Sequence, residues 1–167
     1  MHGSNVVLAA LILLSCIRRS YAQFNPREYP KKIAKCHALK RMHDGNAETI
    51  ELGLRYVDIN PSTTQTILMV HGWPSLWSTW SNQIQEFKND YHLVIPDLRG
   101  FGESEHPGDP QASGNMADMA DDLRCILQHA RVTSAICMGH DWGSQICYEA
   151  ARMRPDIFTV VIGAVVP

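Results

Sequence analysis

Apolar positions in this chain keep changing rhythm, and each change marks an expected element. Residues 23–46 are mixed and polar, with Pro26, Pro30 and an Asp44-Gly45-Asn46 turn signal, and read as a lead-in. From Thr49 to Asn60 apolar and polar residues partly alternate through Ile50, Leu52, Leu54 and Tyr56, which predicts one or two strands pairing as a hairpin before Pro61-Ser62. Thr66 to Val70 is a continuous apolar strand that runs straight into His71-Gly72-Trp73-Pro74. Trp77, Trp80, Ile84 and Phe87 then recur at helical spacing, the pattern of a buried helix. Tyr91 to Ile95 is the next strand, followed by a glycine-bearing loop through Asp97-Leu98-Arg99-Gly100-Phe101-Gly102-Glu103-Ser104 to Gly114. Asn115 suits a helix cap, and Met116, Met119, Ala120, Leu123, Leu127 and Ala130 give that helix an apolar side. Ser134 to Met138 is a short apolar run ending at Gly139; Ile146, Ala150 and Met153 continue a helix that Pro155 stops, and Phe158 to Val166 is a further apolar strand.

Alternating strands and helices with continuously apolar strands imply an α/β fold, a mainly parallel sheet with helices on both faces. Sites in such sheets lie beyond the carboxyl ends of the strands, so the loops at 71–74, 97–104 and 139–144 are expected to converge at one edge. Ending on Val165-Val166-Pro167 would leave the last strand as an exposed sheet edge. The division expected is a leader at 1–22, a lead-in at 23–46 and a globular part at 47–167.

The leader stands apart because Val6 to Ile17 is uncharged and apolar over twelve residues. That length fits a signal-peptide core and falls short of the roughly 20 apolar residues that span a bilayer. Ser20 and Ala22 supply a small-x-small exit, whereas Arg18-Arg19 follow the run instead of preceding it, so a cleaved signal peptide and a short membrane anchor are both retained as readings. Either one places the chain in the secretory pathway, with membrane association only through the amino terminus. A net charge of −2 gives no electrostatic case for a nucleic-acid partner. The basic residues cluster early, at Arg27, Lys31, Lys32, Lys35, Lys40 and Arg41, and are expected to be a solvated approach to the domain, with anionic lipid headgroups as the competing contact. Cys36, Cys125, Cys137 and Cys147 show no close CxxC-type spacing, so no metal is expected. Cys125, Cys137 and Cys147 sit in apolar runs or helical patterns and read as small buried hydrophobes; an even count permits disulfides without indicating a pairing.

The chemistry centres on Gly139-His140-Asp141-Trp142-Gly143-Ser144, where a strand stops at a glycine-flanked acid and passes into a helix. Glycines on both sides let the backbone bend tightly and let strand and helix approach closely, leaving Asp141 at the apex. This is nucleophile-elbow spacing with aspartate where lipases carry serine. With a reference pKa of about 3.9, an aspartate is already a carboxylate at neutral pH and suits displacement at a saturated carbon. An oxyanion site needs two backbone N–H groups aimed at one spot.

With His71-Gly72-Trp73-Pro74, Asp97 to Ser104 and Gly139 to Ser144 taken together, the chain resembles the epoxide hydrolases of the α/β-hydrolase superfamily, from about residue 45 to its end. The resemblance implies an incomplete α/β-hydrolase fold. It also implies that Asp141 opens an epoxide to give an enzyme ester, which a histidine-activated water hydrolyses to a diol, with Trp73 and Trp142 as main-chain oxyanion donors. His71, Gly72, Pro74, Arg99, Gly139, His140 and Gly143 would support these loops, His71 and His140 by hydrogen bonds. The substrate implied is a small apolar epoxide, and no cofactor is expected. Haloalkane dehalogenases share the aspartate but usually carry an amide or acid where this chain has Trp73. Ser144 is expected to be a small residue that permits close helix packing, and Trp77 and Trp80 to be core.

The family's acid and histidine follow the nucleophile in chain order, yet no histidine follows His140, and the only tyrosine after Asp141 is Tyr148. His106 and His129 belong to an earlier loop and helix. Residues 1–167 by themselves are therefore expected to be inactive, either part of an enzyme lineage or a non-catalytic remnant that binds apolar molecules.

Overall fold

The computed structural model describes residues 24–109 and 114–165, so the expected leader lies outside the described residues. Six strands form one sheet: β1 (Lys31–Arg41), β2 (Ala47–Ile59), β3 (Thr66–Val70), β4 (His92–Pro96), β5 (Ala135–His140) and β6 (Phe158–Ala164). Their order is β1-β2-β4-β3-β5-β6, with β1, β2 and β4 joined antiparallel and β4, β3, β5 and β6 parallel. Among the described residues three α-helices accompany them: α1 (Ser81–Phe87), entered through a 3₁₀ turn at Trp77–Trp80, α2 (Met116–His129) and α3 (Trp142–Met153). Asn115 caps α2, its side chain accepting from the Ala117 amide at 2.8 Å.

The lead-in expected at 23–46 is corrected by the structure, because most of it is β1, paired with β2 from Lys31↔Val57 to Arg41↔Ala47. The inward residues of β1 are only Ala34, Cys36 and Ala38, alternating with lysines and histidine. Small residues are needed there because α2 packs directly over the strand, and they make a weak period-2 signal. The turn between β1 and β2 is closed by Met42 N–H donating to Asn46 O at 2.9 Å, with Gly45 at φ 86. A boundary at residue 47 would cut this hairpin in two.

The early basic cluster belongs to the same hairpin. Lys31 reaches Asp97 and Glu103, Lys32 reaches Asp58, Lys35 reaches Glu51, Lys40 reaches Glu48 and Arg41 reaches Asp118. Asp58, Asp97 and Asp118 are buried, whereas Glu48, Glu51 and Glu103 are exposed and form ordinary surface pairs that contribute little. Their larger effect is to keep the outer edge of β1 charged and so unattractive to another strand.

Alternation along the central strands divides the core in two. Ile67, Met69, Leu93 and Ile95 face Trp77, Trp80 and Ile84 on one side of the sheet. Leu68, Val70 and Val94 face Leu123, Ile126, Leu127 and Ile146 from α2 and α3 on the other. With both faces covered, these strands read as unbroken apolar runs in the sequence. Trp77 and Trp80 are core residues, and against Trp77 pack Phe24, tilted, and Tyr29, edge-on, at 5.7 and 6.0 Å between ring centroids.

The cysteines are not free hydrophobes. Cys36–Cys125 ties β1 to α2 and Cys137–Cys147 ties β5 to α3, with Cα separations of 6.0 and 5.6 Å. Separations of 89 and 10 residues offered no sequence cue, and packing of helix on sheet creates both pairs. Among the described residues no helix is long and apolar enough to cross a membrane.

Candidate active site

β5 ends at His140, α3 begins at Trp142, and Asp141 between them holds φ 55 and ψ −126, a backbone region that non-glycine residues rarely adopt. Several contacts fix it there. Asp141 N–H donates to Ala164 O at 3.1 Å and Val165 O at 3.0 Å, and its own carbonyl accepts from Ser144 N–H at 2.9 Å. The positive φ thus falls on the aspartate itself, and the flanking glycines serve a different need. A Cβ on Gly143 would overlap the carbonyls of Val70 and His71, one on Gly139 would overlap the Gly143 carbonyl, and one on Gly72 would stand 2.5 Å from Asp141 Cβ. Gly139 and Gly143 are crossings of backbone on backbone, and Gly72 leaves room for the Asp141 side chain. Ser144 does more than save space, for its hydroxyl donates to Gly139 O at 3.0 Å and lies 3.3 and 3.2 Å from Ala164 O and Val165 O, bridging elbow and β6.

The two amides expected at an oxyanion site do converge on Asp141. Trp73 N–H donates to Asp141 Oδ1 at 3.0 Å, and Trp142 N–H donates to the same carboxylate. These bonds, Trp73's first and Trp142's second, hold the Asp141 carboxyl below the usual carboxylate range against a smaller opposing effect of burial. The side chain is half-buried, open to an approaching molecule.

His71 supports the upstream loop from beneath. Its Nδ1–H donates to Gly72 O at 2.8 Å and its Nε2 accepts from Leu98 N–H at 3.0 Å, a pattern only the neutral ring can make. Burial lowers its pKa accordingly. Pro74 follows Trp73 through a cis peptide bond. Asp97 accepts from Trp77 N–H at 3.1 Å and pairs with Lys31 at 2.8 Å. Arg99 lies buried across Asp122, with Nε and Nη2 at 2.6 and 2.7 Å from its two oxygens, and reaches the carbonyls of Leu39 and Asp118. His140 departs from its expected role: its side chain is exposed and makes no hydrogen bond among the described residues. As the last residue of β5 it points out at the sheet's carboxyl edge, where it favours the charged form of Asp141 through space.

The loops at 71–74, 97–104 and 139–144 therefore meet at one edge, and a cavity of about 370 Å³ opens between them. Trp73, Phe101, Met119 and Trp142 supply its apolar walls, and Arg99 and His106 its polar side chains. His106 was not placed here by sequence reasoning; the signal available was Gly100, whose missing Cβ leaves room for the histidine ring six residues on. Asp118 and Asp122 anchor Arg41 and Arg99 across the fold, pairings that no spacing along the sequence indicates. Among the described residues no group of side chains could hold a metal ion.

Residues 65–163 match the family described as alpha/beta hydrolase fold. The chain is 35% identical over 112 residues to Epoxide hydrolase 4 of Mus musculus, covering 66% of this chain and 31% of that protein. It is 36% identical over 102 residues to an epoxide hydrolase of Caballeronia sordidicola, covering 60% of this chain and 31% of that one. A solved structure of a variant Bacillus megaterium epoxide hydrolase, complexed with its naphthyloxy-propanediol product, superposes with TM-score 0.64 at 30% identity, covering 70% of this chain and 40% of that chain. Epoxide Hydrolase A from Mycobacterium thermoresistibile gives TM-score 0.64 at 27% identity, covering 80% and 39% respectively. The chain thus spans about a third of the length of the curated relatives it matches.

Proposed function

This chain belongs to the alpha/beta hydrolase fold family, with epoxide hydrolases among its relatives, and from that premise we propose that it carries the alkylation half of an epoxide hydrolase. In this reading an Asp141 carboxylate oxygen bonds to an epoxide carbon while that carbon's bond to the ring oxygen breaks. The ring oxygen leaves as an alkoxide that takes a proton, and an ester remains on Asp141. Water adding to the ester carbonyl with loss of a proton to a base would place negative charge on the oxygen facing the amides of Trp73 and Trp142, and collapse would break the bond from the carbonyl carbon to the alkyl oxygen, which takes up a proton, returning the carboxylate and a vicinal diol. The observation that carries this is the Asp141 carboxylate at the elbow apex, already held at 3.0 Å by the Trp73 amide.

The second step needs a base beside the ester, and no histidine follows His140 in the sequence. His106 lines the same cavity, but its Nδ1 already accepts from Gly108 N–H, so residues 1–167 alone are expected to stop at the ester without turning over. Mass spectrometry after incubation with styrene oxide tests the nucleophile: an adduct is expected on the Asp141 peptide and is absent in Asp141→Asn. An adduct elsewhere overturns the assignment, and halide release from a bromoalkane in place of an epoxide adduct points to the dehalogenase reading, which Trp73 disfavours. Location in the secretory pathway belongs to the same proposal, supported by two disulfides, which persist in oxidising compartments. Amino-terminal sequencing from the producing cell, with Gln23 as the expected first residue, tests it; an unprocessed cytosolic chain overturns it.

A further inference from the structure

The cavity beside Asp141 is walled by aromatic and aliphatic side chains, and two polar side chains enter it, those of Arg99 and His106. They are not equivalent. Arg99 is 4% exposed and its guanidinium is committed on every side, to both oxygens of Asp122 and to the carbonyls of Leu39 and Asp118. Four of its five N–H donors are thus used within the fold, which leaves it little to offer a ligand.

His106 is exposed and held in one orientation. Its ring lies against the backbone of Gly100, so closely that a Cβ on Gly100 would collide with it. Its Nδ1 accepts from Gly108 N–H at 3.0 Å. A ring nitrogen that accepts carries no proton, so the neutral ring carries its proton on Nε2. That Nε2–H has no partner among the described residues. The cavity thus combines apolar walls with few polar groups, among which the His106 ring is held in place by its bond from Gly108, an arrangement that fixes a ligand's orientation as well as its bulk.

We propose that His106 is a specificity-determining residue, whose Nε2–H donates to an acceptor oxygen, ether or carbonyl, in the substituent of an otherwise apolar, aryl-bearing substrate. The inference rests on the epoxide reading only in calling this cavity the substrate's. An oxygen placed at the donor gains a hydrogen bond, whereas a methylene there leaves the donor unpaired in an apolar cavity.

The test uses the chain of 167 residues and two unreactive isosteres, anisole and ethylbenzene, which differ by oxygen against methylene. Binding is read by quenching of the tryptophan fluorescence to which Trp73 and Trp142 contribute. The preference for anisole is expected to be about fivefold greater in the wild type than in His106→Phe, the factor of one ordinary hydrogen bond. Circular dichroism checks that the variant folds; His106→Ala is the second variant should the phenylalanine not fold, and is held to the same loss. Unchanged preference in the folded variant overturns the inference. Since neither probe can react with Asp141, the styrene oxide experiment reports separately. An Asp141 adduct without dependence on His106 sinks this inference alone, and dependence on His106 without an adduct sinks the epoxide reading alone.

Discussion

At the scale of single residues, the elbow is decided by how close backbones come. Gly143 lies where α3 crosses the end of β3, and a methyl group there meets carbonyl oxygens that cannot swing aside. Gly143→Ala is accordingly expected to lose about 3 kcal/mol, the upper end of ordinary overpacking, because backbone and not a flexible side chain is in the way. Urea unfolding measures this, and a loss under 1 kcal/mol would show that the crossing relaxes. His71 makes a second prediction, on pH. Its folded pKa is lowered by burial, so its contribution to stability is complete above the unfolded value of 6.5 and is lost as pH falls below it towards the folded value. His71→Asn loses one of the two bonds to the ring, about 1–3 kcal/mol at pH 7.5. The gap between wild type and variant should narrow at pH 5.5, and a gap constant across that range would rule out a neutral, bonded His71.

Among the elements, β1 is held to α2 by more than packing. Arg41 Nε and Nη2 reach Asp118 at 2.5 and 2.8 Å, and Cys36–Cys125 closes a separation of 89 residues. Chain-entropy reasoning gives that disulfide about 4–5 kcal/mol, and about 3 kcal/mol to Cys137–Cys147 with its separation of 10. Cys125→Ala should therefore destabilise more than Cys147→Ala in urea unfolding, with both differences shrinking once the wild type is reduced. The two should also separate by function. Cys137–Cys147 joins the strand and helix that flank Asp141, so Cys147→Ala is expected to slow ester formation while Cys125→Ala leaves the elbow alone. Equal rates in the two variants would mean that the glycine crossings hold the elbow without the disulfide.

For the molecule as a whole, the two margins of the described sheet differ. β1 faces outward with lysines that are paired to acids, whereas β6 presents Val160 at 49% and Ile162 at 44% exposure beside Ala164 and Val165. Charged edges resist strand addition and bare apolar ones invite it. The chain expressed as residues 23–167 is expected to associate through β6, and Val160→Lys with Ile162→Lys to shift it towards monomer in sedimentation velocity. A wild-type chain that sediments as a monomer would defeat this expectation.

What the sequence determined alone was whatever depends on neighbours along the chain. The order of strands and helices from β2 onward, the elbow at Asp141 and the convergence of three loops followed from periodicity, glycine spacing and the rule that such sites gather at strand ends, and the amides of Trp73 and Trp142 from the resemblance to epoxide hydrolases. Tertiary structure decided what depends on partners far away. β1 was invisible because its inward residues are small to admit α2, and the cysteines paired because that helix packs on that strand, which no spacing encodes. His140 turned outward because β5 ends there, and His106 entered the cavity because Gly100, six residues back, makes room for its ring. Local pattern fixes which faces a segment buries; which atoms meet across the core is settled only when the faces pack.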